Sequence, residues 1–300
     1  MEPLNKLGKM PSDPIQQFVR NKKKDFKNKI EKIRVLARKT INHFNDSKHE
    51  SFVVNPSIPI LYFGDLNRYL KSDLKIVTAA INPSDKEFKQ KRFSFIPDNL
   101  KENDVLNVID SLNKYFDFNP YNKWFDRSTE KIMNQLNTSY YPNKDYRNIA
   151  LHTDICSPIA TDPTWGGLEK KQKNLLKTKG YEIWLDLIKI LKPNIILISV
   201  AKGYLKSNNF KEVSKLKVNS NNVNTFSYND VLEEFKKEKK SLATKDIYFY
   251  QHDEISNCMI YQGRNNTGTP FGMIKYKENG NNNLKEIRQV SKLIQNHLNA

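Results

Sequence analysis

The sequence is short of cysteine, short of glycine and without a long apolar run. Two cysteines in 300 residues, Cys156 and Cys258, imply no disulfide framework. They are also too few for a four-thiolate zinc ribbon or iron–sulfur cluster within the chain. Both lie in apolar, strand-like stretches, where reduced cysteines of a cytoplasmic protein commonly sit. No uninterrupted apolar stretch approaches the roughly 18 to 20 residues that cross a bilayer, and the start, Met1-Glu2-Pro3-Leu4, lacks the apolar core of a secretory signal. The expectation is a soluble, cytoplasmic monomer that uses no metal and no cofactor. Glycine numbers only ten. Neither G-x-x-x-x-G-K-S/T nor G-x-G-x-x-G follows any strand-like run, which speaks against an α/β nucleotide-binding protein built on those phosphate loops.

What the chain has in excess is positive charge. Fifty Lys and Arg against 33 Asp and Glu give a formal charge of +17. Lysines set on phosphates release condensed counterions, so such a chain is drawn to polyanions. Lysine outnumbers arginine, and Asn and Ile are abundant, which is also the imprint of an AT-rich genome on a solvated surface. Charge alone leaves both readings open.

Ser12-Asp13-Pro14 has the capping residues and early proline that open a helix. Ile15, Phe18, Phe26, Ile30, Ile33, Ala37, Ile41 and Phe44 follow at helical spacing, predicting an amphipathic helix kinked or broken near residues 21–24. Its outward cations are either a solvated face or a contact for phosphates. From Leu74 the pattern changes. Residues 74–81, 149–155 and 195–200 are apolar throughout and read as buried parallel strands; 247–250 and 258–261 are further strand candidates. Helical patterns cover 104–116, 121–136, 168–191 and 284–298, and Asn-rich loops fall at 219–224 and 279–283, with a basic helix end at 236–240. The alternation predicts an α/β fold, with a central, mainly parallel sheet of four to five strands flanked by helices. Residues 1–58 read as an N-terminal helical extension and 59–300 as one α/β domain. In such sheets ligands bind beyond the carboxyl ends of the strands. Asn82 and Asp154 both fall on that edge.

Four segments stand in a particular order. They are Lys75-Ile-Val-Thr-Ala-Ala-Ile-Asn-Pro-Ser84, then Arg92-Phe93, then Thr153-Asp-Ile-Cys-Ser-Pro158, then Lys192-Pro-Asn-Ile-Ile-Leu-Ile-Ser-Val200. This order resembles the uracil-DNA glycosylase superfamily, and its mismatch-specific branch in particular, over roughly Pro59 to Met273. The resemblance implies that Asn82 orients the water that attacks the sugar, that Phe93 stacks on an extruded base, and that the strand carrying Asp154 reads that base. Asp85 and Glu87 are stronger bases than an amide and lie just downstream; helix capping or solvent exposure is their competing role. Cleaving the glycosidic bond puts positive charge on the sugar and negative charge on the departing base. A positioned water and a group that stabilises the base are therefore needed, and no metal is. The nucleotide is flipped out of the duplex for this chemistry.

The departures from the family carry the specificity. Its uracil readers have asparagine where this chain has Asp154. An ionised aspartate can only accept hydrogen bonds, which suits the N4 amino group of cytosine and not O4 of uracil, although N3 of cytosine repels the second oxygen unless one of them holds a proton. Ser84 stands where strict uracil enzymes place a tyrosine against C5 substituents, which leaves that side open. Removal of ordinary cytosine would destroy the cell's own genome, so the implied substrate is a C5-modified cytosine, such as the hydroxymethyl or glucosylated forms found in phage DNA. The family's His-Pro-Ser-like loop has its nearest counterpart in residues 263–272, without histidine; Arg264, Asn265, Thr267, Pro270 and Phe271 are the DNA-contacting candidates there, with Arg92 beside the stacking ring. His152 shares a face with Asp154 and is either a base-reading neighbour or a core histidine. His252 is an alternative donor, and Trp165 either lines the pocket or packs. Two other functions stay in view: a uracil or mismatch repair glycosylase, and a module that binds modified DNA without cutting it.

Overall fold

A computed structural model describes residues 14–126, 129–218, 245–263, 291–292 and 294–296. The first helix, α1 (Pro14–Ser47), is continuous. The expected break at 21–24 is absent because those polar residues point to solvent, where lysine is an adequate helix former. In its second half Ile33, Leu36, Ala37, Ile41 and Phe44 join the core.

After α2 (Leu66–Lys71) comes β1 (Ile76–Ala80), buried at every position. Its start is fixed by two amides: Asn148 Oδ1 accepts from the backbone of Asp73 and Leu74, and Asn194 Oδ1 from Lys75. A set of short helices follows, α3 (Val105–Asn113), α4 (Tyr115–Phe118), α5 (Asn122–Phe125) and α6 (Thr129–Asn134). They lead to a small parallel pair, β2 (Thr138–Ser139) and β3 (Asn148–Ile149), and then to β4 (Leu151–Asp154). From β4 the chain returns through the long helix α7 (Lys170–Leu191) to β5 (Ile195–Ile198), and β1 lies between the two strands. The helix α8 (Lys202–Lys206), β6 (Phe210–Val218), β7 (Lys245–His252) and β8 (Ile255–Gln262) follow, and residues 291–292 and 294–296 are helical, with Ile294 in the core.

The sheet runs β4-β1-β5-β8-β7-β6, six strands rather than four to five. The first four are parallel, and β7 and β6 extend the sheet antiparallel. The unanticipated strand is β6. It has a bulge between Glu212 and Ser214, and exposed Lys211, Glu212 and Val213, so it shows neither an apolar run nor a clean alternation. The expected features at 219–224, 236–240 and 279–283 lie outside the described residues, as does most of 284–298. Among the described residues, no helix is long and apolar enough to cross a membrane.

The parallel register decides which side chains meet. Thr78 pairs with His152 and Ala80 with Asp154; partners in a parallel pair project from the same face. On the opposite face Thr153 Oγ1 accepts from Trp184 Nε1 of α7 at 3.1 Å. There Gly180 lets α7 approach closely, since a Cβ at that position would stand 2.2 Å from the Cys156 carbonyl oxygen.

Candidate active site

The carboxyl edge of the parallel strands gathers Asn82 after β1, Asp154 at the end of β4, and Gln262 at the end of β8. Asn82 is half-buried. Its Nδ2 donates to Thr161 Oγ1 at 2.9 Å and to the Pro83 carbonyl at 2.8 Å. The amide is thereby oriented, and Oδ1 is the atom left for a water. Gln262, which the sequence did not flag, donates from Nε2 to the Val200 carbonyl at 2.8 Å, and its Oε1 has no partner among the described residues.

Asp154 is 5% exposed, and its Oδ2 has no hydrogen-bond partner among the described residues. Burial first, and the negative charge of Glu87 second, push its carboxyl well above the usual carboxylate range. Glu87 is the acid that matters in the downstream segment. It is buried, accepts a short hydrogen bond from the Tyr115 hydroxyl, and is pushed up to about 7 by burial, against the opposing effects of that hydrogen bond and of the Arg92 charge. Asp85, the other candidate base, is ion-paired with Lys89. A sequence gives no signal that separates two acids two positions apart in a short turn; packing against Tyr115 does.

His152 Nε2 lies 4.0 Å from Asp154 Oδ1, beyond hydrogen-bonding distance. Burial lowers this imidazole to about 3, so it is neutral. Its tautomer follows from counting protons. The Tyr140 hydroxyl donates to Thr129 Oγ1 (3.2 Å), so it accepts from Thr78 Oγ1 (2.6 Å). Thr78 has then spent its single proton and accepts from His152 Nδ1 (2.7 Å). The proton of His152 is therefore on Nδ1, and a bare Nε2 lone pair faces the Asp154 carboxyl. A small cavity with room for about one water lies beside it, lined by Thr78, Ala80, Trp124, Thr129, His152 and Ser199.

Two expected roles are corrected. Phe93 is 4% exposed and packs on Phe63, Phe88 and Tyr115, so it is a core ring and not an open stacking platform. Phe88, half-buried and stacked on it at 5.2 Å, is the ring nearer to solvent. Arg92 is also buried. Its guanidinium donates to the carbonyls of Lys86, Asn119 and Pro120 and to Gln90 Oε1, and it stacks over Tyr121. Four of its five N–H groups are spent in this way, so it anchors a loop. Ser84 is half-buried at the start of the turn Asp85–Glu87, with its backbone bridged to Thr161. Arg264, Asn265, Thr267, Pro270 and Phe271 lie outside the described residues. His252 Nδ1 accepts from the Glu254 amide and Nε2 bonds the Tyr181 hydroxyl, a structural assignment. Trp165 packs partly buried against the core.

No family model, curated protein or solved structure matches the chain. The likeness to the glycosylase superfamily therefore rests on the residues named above. Among the described residues, no group of three or more His, Cys, Asp or Glu side chains is placed to hold a metal ion.

Proposed function

We propose that the protein is a monofunctional DNA glycosylase that extrudes a C5-modified cytosine from duplex DNA and hydrolyses its glycosidic bond, leaving an abasic site. The observation that carries this reading is the Asp154 carboxyl: buried at the carboxyl edge of a parallel sheet, with no cation and one free oxygen among the described residues. An acid in that setting holds its proton. Its O–H then donates to N3 of cytosine while its carbonyl oxygen accepts from N4–H, which removes the repulsion an ionised pair of oxygens would meet.

The reaction balances without an outside reagent. Water on Asn82 Oδ1 attacks C1′, the N1–C1′ bond breaks with its electron pair leaving on the base, and the Asp154 proton moves to N3. The proton lost by the water returns to the Asp154 carboxylate. Asp154 is covered in this structure, so a base reaches it only after neighbouring side chains move, as in induced-fit closure.

A neutral carboxyl also matches uracil, donating to O4 and accepting from N3–H. Burial of Asp154 thus weakens the exclusion of uracil that an ionised aspartate would give, and a repair enzyme for uracil is the second reading. The test is incubation of the full chain with duplexes carrying cytosine, 5-hydroxymethylcytosine, glucosylated hydroxymethylcytosine or uracil, with alkali-labile sites as readout. Release of a modified cytosine, lost in Asn82→Ala, supports the proposal. Release of uracil alone rejects it in favour of repair. Tight binding without release, unchanged by Asn82→Ala, identifies a non-cutting binding module.

A further inference from the structure

The first half of α1 is unlike the rest of the molecule. Between residues 17 and 29 no described side chain is buried, whereas from Ile33 onward one face of the helix is in the core. A helix stretch with no fully buried side chain gains little from packing. This one also repels itself. Arg20, Lys23, Lys24 and Lys27 are three or four residues apart, all exposed, and none has an ion pair among the described residues. At 100° per residue they fall in one stripe, which ends where Glu31 interrupts it and pairs with Arg34. From Arg20 to Lys27 the stripe is about 10 Å long.

Its place in the fold separates it from the candidate active site. Lys39 pairs with Asp186 near the end of α7, and Phe26 lies under the Lys71 ammonium. The free half thus emerges at the amino edge of the sheet. Lys75, at the start of β1, has its ammonium lowered by burial first and then by the nearby charges of Lys29 and Lys22. Asn82 is seven residues further along, about 23 Å away in extended chain.

We propose that the Arg20–Lys23–Lys24–Lys27 stripe is a second docking surface, for the sugar–phosphate backbone of a nucleic acid, separate from the base-reading edge. A line of unpaired cations on a solvent-facing helix complements a line of phosphates, whose charge repeats every 1.7 Å or so along a duplex. An anionic membrane is a poorer match. Among the described residues of this half the exposed large apolar ones are Phe18 and Val19, and the Lys22 ammonium covers the Phe18 ring at 4.7 Å.

The experiment is fluorescence anisotropy of an unmodified duplex with the full-length protein over a range of salt. Replacing Arg20, Lys23, Lys24 and Lys27 by Gln is expected to weaken binding at least tenfold at low salt and to reduce the slope of log affinity against log salt by about 3. Replacing them by the other cation (Arg20→Lys; Lys23, Lys24 and Lys27→Arg) is expected to preserve both. The proposal is overturned if the Gln variant binds as before, if removing four scattered cations (Lys101, Lys131, Lys171, Lys206) weakens binding equally, or if the Gln variant loses only binding to phosphatidylserine vesicles. Since the readout is binding of undamaged DNA, failure to release any base would sink the glycosylase reading and leave this surface standing.

Discussion

The Glu87 carboxylate acts on Asp154 from a neighbouring loop, adding to burial in keeping the Asp154 proton in place. Two buried acids at one sheet edge, with a neutral histidine beside them, make the stability of this protein depend on pH in a specific way. Glu87 titrates at about 7 when folded against 4.5 in the unfolded chain. A raised acid favours the folded state at low pH, and that contribution is lost as pH rises from 4.5 through 7, by about 3 kcal/mol in full. Glu87→Gln abolishes the titration. Urea unfolding of both proteins at several pH values is expected to show the variant gaining on the wild type as pH rises. A constant difference would refute the assignment.

His152 works in the opposite sense. Its folded value of about 3 lies below the unfolded 6.5, so its contribution is present above 6.5 and lost as pH falls towards 3. The hydroxyl chain makes a further prediction. In ¹⁵N-histidine spectra His152 is expected as the Nδ1–H tautomer throughout the neutral range, with a bare Nε2 resonance. Thr78→Val removes the acceptor of that proton and is expected to shift the tautomer balance. A wild-type Nε2–H tautomer would show that the chain runs the other way.

The two stacked rings separate structure from function. Phe93→Ala empties a core position and is expected to destabilise by about 3 to 5 kcal/mol. Phe88→Ala, at a half-buried position, is expected to be milder for folding yet, on the proposal that Phe88 rather than Phe93 stacks on the extruded base, to lower base release about ten- to hundredfold. Denaturant midpoints and single-turnover rates check both. The reverse pattern would return the stacking role to Phe93.

How much of this was legible in the sequence differs by element. β1, β4 and β5 were readable because parallel strands covered on both faces leave continuous apolar runs, and α7 because its buried face recurs at helical spacing. β6 was not readable, since an edge strand with a bulge and lysines has no periodic signature. At the site, the sequence placed Asn82 and Asp154 on one edge because both follow buried strands. It could not show that Glu87 rather than Asp85 turns inward, nor that Phe93 and Arg92 are spent on packing. Those facts come from Tyr115, Phe63, Asn119 and Pro120, residues distant in sequence whose approach depends on the tertiary fold.

In the proposed reaction Asp154 gives its proton to a cytosine-type base. Single-turnover release of 5-hydroxymethylcytosine by the wild type and by Asp154→Asn, measured from acid to alkaline pH beside duplex binding, tests it most directly. Asparagine keeps the shape and the hydrogen bonds but has no acidic proton. Asp154→Asn is expected to bind within about tenfold of wild type and to release base at least about a hundredfold more slowly, and the wild-type rate to fall as pH rises through the Asp154 titration. Undiminished release of the modified cytosine by Asp154→Asn, or a rate independent of pH, would contradict it.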